Sequence, residues 1–399
     1  MISFLILIAL FFLYLSAGVK LSGKNLFAPA VLTSGIWIIC LLLFLTLDHD
    51  LPPFSSQFTL SIIIWVTGIC ISSLFFQSKK FSNTNPNNDV SYTILNVYFL
   101  ISILSFPFLI NWAIGVITSP HEGISATQAL RQSALGLGIY KGQQLKFFPY
   151  LIWNAAYIIE LCYFKKTRLL QVIILGLLII SYGVLTMSKF TFLMLFINTL
   201  SILSFRLNIK LKHIIIGSIT IFLFIIIMQI LRENASMSSN SQLNNFLVLY
   251  AIGHISAFDT LEPMSAVHFG ENTFRSIYAI LNSIGVSDIE PTNIVLPWIK
   301  RPILTNTYTG MYPYFVDFGY LGVFIFSLII GSFMGFLFGR ARRGSGLCAS
   351  IFAVCSYMVV FQYQGDFFFT NLAGNIKLII VTTIPFIFKF YKRLDNATS

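Results

Sequence analysis

Residues 315–338 read FVDFGYLGVFIFSLIIGSFMGFLF, a run whose only charge is Asp317 near its start. Wound as a helix rising about 1.5 Å per residue, it is longer than the ~30 Å hydrocarbon core of a bilayer. A backbone in that medium must satisfy its own hydrogen bonds, so the run is expected to be a membrane-spanning helix. Working outward, similar runs recur near 2–19, 27–47, 58–76, 94–117, 147–164, 169–187, 188–205, 213–231, 347–363 and 367–390. Together they predict an all-α polytopic membrane protein with about eleven transmembrane helices. The composition agrees: 56% of the chain is apolar and 10% charged, against about 25% charged in a soluble chain, which excludes a set of soluble domains. The first run has no basic stretch before it and no small-residue cleavage site after it, so it is expected to be a retained helix rather than a signal peptide.

The net charge of +11 reads as a topology signal and not as a nucleic-acid signal. Alternate connections carry Lys20 and Lys24; Lys79 and Lys80; Lys165, Lys166 and Arg168; Arg206, Lys210 and Lys212; Arg340, Arg342 and Arg343; and Lys389, Lys392 and Arg393. By the positive-inside rule these face the cytoplasm, with the N-terminus outside and the C-terminus inside. Two outside segments, 118–146 and 232–314, are too long to be mere connectors. In the larger, 245–261 and 274–286 have apolar residues at helical spacing and are expected to lie along the outer membrane surface, making the loop a half-buried, partly helical lid. Cys40, Cys70, Cys162, Cys348 and Cys355 all lie in apolar runs with no CxxC pair, which points away from disulfides, zinc and redox chemistry.

No GxxxxGK[ST], HExxH or GxSxG motif occurs, so any reaction is expected to use a substrate that arrives activated, without cofactor or metal. Outside cations, Arg131, Lys141, Lys146, Lys189, Arg232, Arg275, Lys300 and Arg301, suit the phosphates of a lipid diphosphate, or else anchor to lipid headgroups. Arg131 precedes Gly142 by a ten-residue spacer in a stretch that also holds Gly136, Gly138 and Lys141, flexible backbone able to wrap a diphosphate. In LTMSKFTFLMLF the turn places Ser188 and Lys189 at a helix N-terminus, where free N–H groups favour an anion. His254 in YAIGHISAFDTLE is a candidate general base, with Asp259 and Glu262 close behind; a buried histidine with a hydrogen-bond partner is the plainer alternative. Asp317 and Asp366 are boundary carboxylates, functional candidates or helix caps. Asp48-His49-Asp50 is a candidate cation pair or a polar loop tip.

The whole pattern resembles the oligosaccharide repeat-unit polymerases of bacterial surface polysaccharide synthesis, the O-antigen polymerase (Wzy) family. The likeness rests on ten or more spans, two outer loops with the larger one late, Arg131-x10-Gly142, and NTYTGMYPYFVDFGYLG at 306–322 running into a membrane helix. LTMSKFTFL also resembles the Thr-Gly-Ser-Arg hairpin of O-antigen ligases and polymerases, with Met187 in place of Gly and Lys189 in place of Arg. Arg275 is followed by Gly285 after nine residues, not ten. The resemblance implies a GT-C-like fold in the inner membrane with its active site facing the periplasm. It also implies transfer of a growing glycan from undecaprenyl diphosphate to a new lipid-linked repeat unit, and a chain-length regulator as a partner. On that reading Arg131, Lys141, Gly142, Lys189, Arg275 and Arg301 hold diphosphates, and His254, or Asp259 or Asp317, deprotonates the acceptor hydroxyl. Tyr308, Tyr312 and Tyr314 would stack on sugars. An O-antigen ligase and a lipid-linked oligosaccharide flippase are the alternatives.

Overall fold

The computed structural model describes residues 2–76, 89–119, 123–140, 144–207, 209, 211–219, 223, 226, 248–293, 296–300 and 304–398. The chain is a multi-pass helical membrane protein. Its helices are α1 (Ile2–Leu21), α2 (Pro29–Thr46), α3 (Ser56–Phe76), α4 (Tyr92–Thr118), α5 (Ala126–Leu135), α6 (Pro149–Cys162), α7 (Leu169–Leu185) and α8 (Lys189–Leu203). They are followed by α9 (Gly253–Phe258), α10 (Arg275–Ser283), α11 (Tyr312–Arg342), α12 (Gly346–Val360) and α13 (Leu372–Thr398). A two-residue antiparallel pair, β1 (Ile299–Lys300) and β2 (Leu304–Thr305), lies between α10 and α11.

Among the described residues, 8 helices are long and apolar enough to cross a membrane: α1 to α4, α7 and α11 to α13. The spans expected at 147–164 and 188–205 appear as α6 and α8, helices of 14 and 15 residues. α6 is shortened at its start by Pro149, which fixes the first turn, and at its end by Tyr163, whose φ of −108° leaves the helix before Lys165. Of the span expected at 213–231, residues 213–219 are helical and most of the remainder lies outside the described residues. The segment 245–261 is interrupted at Ile252 (φ −137°, ψ −14°), so α9 is a short piece, whereas 274–286 forms α10 much as its periodicity predicts.

The chain divides into two compact units. The first comprises Met1–Phe81, Ser238–Arg343 and Met358–Ile376. Its centre is the crossing of α3 and α11. Lipid gives helices no hydrophobic reason to associate, so close packing of small residues must do it. Ser327, Gly331, Gly335 and Gly339 recur every fourth position on α11 and so form one ridge. A Cβ on Gly335 would lie 2.6 Å from Ser73 Cα, and one on Gly339 2.2 Å from the Phe76 carbonyl oxygen, so the backbones touch. The polar interior is tied at Gln362. Its Oε1 accepts the indole N–H of Trp65 at 2.6 Å and of Trp37 at 3.4 Å, and its Nε2 donates to Thr33 Oγ1 at 3.1 Å.

The second unit comprises Ser82–Met237, Gly344–Tyr357 and Lys377–Ser399. Leu109, Trp153, Leu178 and Ile179 join α4, α6 and α7, and Trp153 Nε1 donates to Ser105 Oγ at 3.3 Å. Tyr98, Ile152, Leu175 and Val381 add α13. The buried Glu160 near the end of α6 is neutralised by Arg168, whose Nε lies 2.7 Å from Oε2 and whose other nitrogen reaches Oε1, a two-pronged pairing that a buried carboxylate requires.

Candidate anion and acceptor sites

In the second unit, the outer segment 118–146 contains α5. Its start is signalled by Ser125-Ala126-Thr127-Gln128: Ser125 Oγ accepts the Gln128 N–H at 3.3 Å, and Gln128 Oε1 accepts the Ser125 N–H at 3.3 Å. It ends at Gly136, whose left-handed φ of 66° and close Gln144 backbone exclude a side chain. Ala129 and Leu130 pack with Ala113 and Val116 of α4, with Met187 from the turn between α7 and α8, and with Phe192 in the first turn of α8. The fold thereby brings the stretch bearing Arg131 and the stretch bearing Lys189 into one cluster. Arg131 is close enough to Tyr182 to act on its hydroxyl electrostatically, and Tyr182 stacks on Tyr150 with ring centroids 4.1 Å apart. Tyr182 had no motif to mark it. The hairpin closes through Met187 N–H to Val184 O at 3.0 Å and Ser188 N–H to Gly183 O at 2.9 Å, with Met187 in the left-handed region at φ 50°. Lys189 is then the first residue of α8, half-buried, as its sequence position predicts. Lys141 and Gly142 lie outside the described residues.

In the first unit, α11 is broken. Gly319 has φ 62° and ψ −150°, a conformation open to glycine alone, and it separates Tyr312–Phe318 from the membrane run that follows. In an unbroken helix the carbonyls of Phe315 and Val316 would serve residues 319 and 320; here they accept the N–H groups of Met264 at 3.2 Å and Ala266 at 3.3 Å. The large loop is thus stitched onto the break. On the same short helical piece Asp317, half-buried, accepts from Asn272 Nδ2 at 2.8 Å, Asn272 N–H at 3.3 Å and Thr273 N–H at 2.7 Å. Two residues on, Arg275 opens α10, its Nε bonded to Thr292 O, and partial burial pushes its pKa down. The fold therefore sets Asp317 beside the turn that presents Arg275. Arg301 lies outside the described residues.

His254 does not occupy the place a base requires. It is fully buried, its ring edge-on to Trp37 at 6.2 Å and to Tyr363 at 5.3 Å, and neither ring nitrogen has a hydrogen-bond partner among the described residues. Burial holds its pKa at about 3, so the expectation of a histidine near neutrality is corrected: desolvation in an aromatic wall removes the basicity. Asp259, one turn on, is engaged by the N–H of Ser55 at 3.1 Å and by its hydroxyl, and Gln57 Nε2 reaches Leu261 O at 2.8 Å. These bonds tie the loop to the start of α3.

Nor are the tyrosines an open sugar platform. Tyr314 is buried, stacked on Trp65 at 5.6 Å and Phe326 at 4.5 Å. Tyr308 is buried with its hydroxyl on Pro297 O at 3.1 Å, and Tyr312, half-buried, leans on it at 5.1 Å. Asp366 is a cap: it receives the N–H groups of Phe368, Phe369 and Thr370 at 2.8–3.0 Å and the Tyr314 hydroxyl at 2.8 Å. Burial raises its pKa and those donors oppose the rise. His49 likewise serves its own turn, contacting Phe44 O at 2.7 Å and the Leu51 N–H at 3.1 Å.

No family model matches the chain, and no curated protein or solved structure matches it either.

Proposed function

We propose that the chain is a polymerase of lipid-linked oligosaccharide repeat units, a glycosyltransferase similar to the O-antigen polymerases. It would move a growing glycan from undecaprenyl diphosphate to a new lipid-linked unit at the periplasmic face of a bacterial inner membrane. The observation that supports the reading is that the Arg131 stretch and the Lys189 hairpin pack into one apolar cluster, which sets two cation-bearing segments side by side. Such cations stabilise the charge that develops on a departing diphosphate, so the donor brings its own activation and neither nucleotide nor metal chemistry is invoked. Arg275, in the first unit, is a further candidate cation for a reaction that handles two lipid diphosphates. With His254 buried, Asp259 or Asp317 is the candidate base, Asp317 standing beside the Arg275 turn with its carboxylate held by Asn272 and Thr273. The eleven-span, GT-C-like architecture belongs to the same proposal, with α6, α8 and the run at 213–231 added to the eight long helices.

A gel of the host's surface polysaccharide after deletion of the gene, with a plasmid copy as control, tests the reading. The expected result is collapse of the ladder to a single repeat unit. Loss of that unit as well would indicate a ligase or flippase, and an unchanged ladder would overturn the assignment.

A further inference from the structure

The membrane runs of the first unit show lipid-facing side chains where they should, Leu321, Phe324 and Ile325 being exposed on α11 just beyond its break. That apolar surface does not stop at Gly319. Met264 lies against Gly319, with its Cγ 3.5 Å from where a Cβ there would be, and the Phe269 ring meets Phe318 edge-on at 5.2 Å. Both loop residues are nonetheless exposed, Phe269 at 78%. α10 carries exposed apolar side chains as well. Its Tyr278 bonds the Phe269 carbonyl at 2.7 Å, and on another side of the helix Ile277, Ile280 and the following Ile284 fall within one narrow stripe and are all exposed. The opposite side of the helix is polar, with Asn282 exposed and Arg275 turned to Thr292. Apolar side chains of this size, exposed in such number on one segment, are costly in water.

We propose that residues 264–284 form an interfacial anchor, a second lipid-contacting element submerged in the boundary between headgroups and acyl chains. Lipid is the occupant because the patch is continuous with the bilayer-facing side of α11, and the break at Gly319 is what lets the loop lie against that side. The anchor fixes the turn bearing Asn272 and Thr273, and with it Arg275, at the depth where a lipid headgroup ends.

Fluorescence of the full chain in phosphatidylcholine nanodiscs tests it. Ile280→Trp and Asn282→Trp are compared with the parent protein, so that the difference spectrum isolates the new indole. The Ile280→Trp emission is expected to lose more than half its intensity with phospholipid brominated near the headgroup, less with phospholipid brominated near the chain end, and little with aqueous iodide. Asn282→Trp is expected to show the reverse preference. Phe269→Trp, outside the helix, gives the same reading should the helix variant fold poorly. Quenching of Ile280→Trp and Phe269→Trp by iodide as strong as that of Asn282→Trp would overturn the proposal. So would protection from both quenchers, which would mean that protein, a second copy or another chain, covers the patch.

Discussion

His254 sits in its aromatic wall as the neutral ring. With a folded pKa of about 3 against an ordinary 6.5, the unfolded chain binds a proton between those limits that the folded chain refuses. Stability therefore rises with pH across that window and is lost as pH falls from about 6.5 toward 3, by up to about 1.4 kcal/mol per pH unit. Thermal unfolding in detergent at about pH 7 and about pH 5 should show the loss, and His254→Leu should flatten it. The leucine also removes two nitrogens with no partner among the described residues, so its stability near neutral pH should equal or exceed that of the parent; an equal pH dependence in both proteins would contradict the burial. Met187 is the other residue whose backbone speaks. At φ 50° it holds a position that glycine fills without strain, yet its side chain is buried. Met187→Ala should destabilise through the lost packing while keeping the strain. Met187→Gly should be milder than the alanine variant by about 1 kcal/mol, read from unfolding midpoints.

At the scale of elements, the crossing of α3 and α11 rests on the absence of side chains. A Cβ at Gly335 meets backbone atoms of Ser73, which have no rotamer to yield, so Gly335→Val should force the helices apart and cost several kcal/mol, of the order of a severe overpacking. Size-exclusion chromatography and melting should show a protein that no longer gives a single folded species. Gly115 in α4 supplies the contrast. A Cβ there has nothing within 4 Å, so Gly115→Ala should be neutral or stabilising by up to about 1 kcal/mol through helix propensity. The ridge was present in the sequence as the four-residue spacing of Gly331, Gly335 and Gly339, and α5 was present as Ser125 followed three residues on by Gln128. The break at Gly319 had no such signal, because one glycine in an apolar run is compatible with a straight helix.

For the molecule as a whole, the polymerase reading predicts that both cation groups matter and that they matter through charge geometry. Arg131→Ala, Lys189→Ala and Arg275→Ala should each shorten or abolish the polysaccharide ladder at normal protein level, and Arg131→Lys should retain only part of the activity, because an ammonium cannot offer the paired N–H groups of a guanidinium. Full activity in all three alanine variants would leave these residues as membrane anchors. Asp317→Asn keeps one acceptor oxygen but sets its amide NH2 against a donor from Asn272 or Thr273, so it should lose activity and loosen the turn before Arg275, whereas His254→Leu should keep polymer synthesis. Loss of polymer in His254→Leu with intact protein would return the base to the histidine.

Hydrophobic runs and the placement of cations are read by a bilayer one segment at a time, and so the sequence alone determined a multi-pass helical protein and nominated Arg131, Lys189 and Arg275 within its connecting segments. Side-chain surroundings are not local. Whether His254 faces solvent or an aromatic wall, whether Tyr314 meets a sugar or Trp65, and whether Asp317 is met by Asn272 and Thr273 depend on partners tens to hundreds of residues away. Those were settled only when the glycine ridge closed α11 on α3 and the break at Gly319 drew the large loop onto it, since desolvation and hydrogen bonding are properties of the packed neighbourhood and not of the residue.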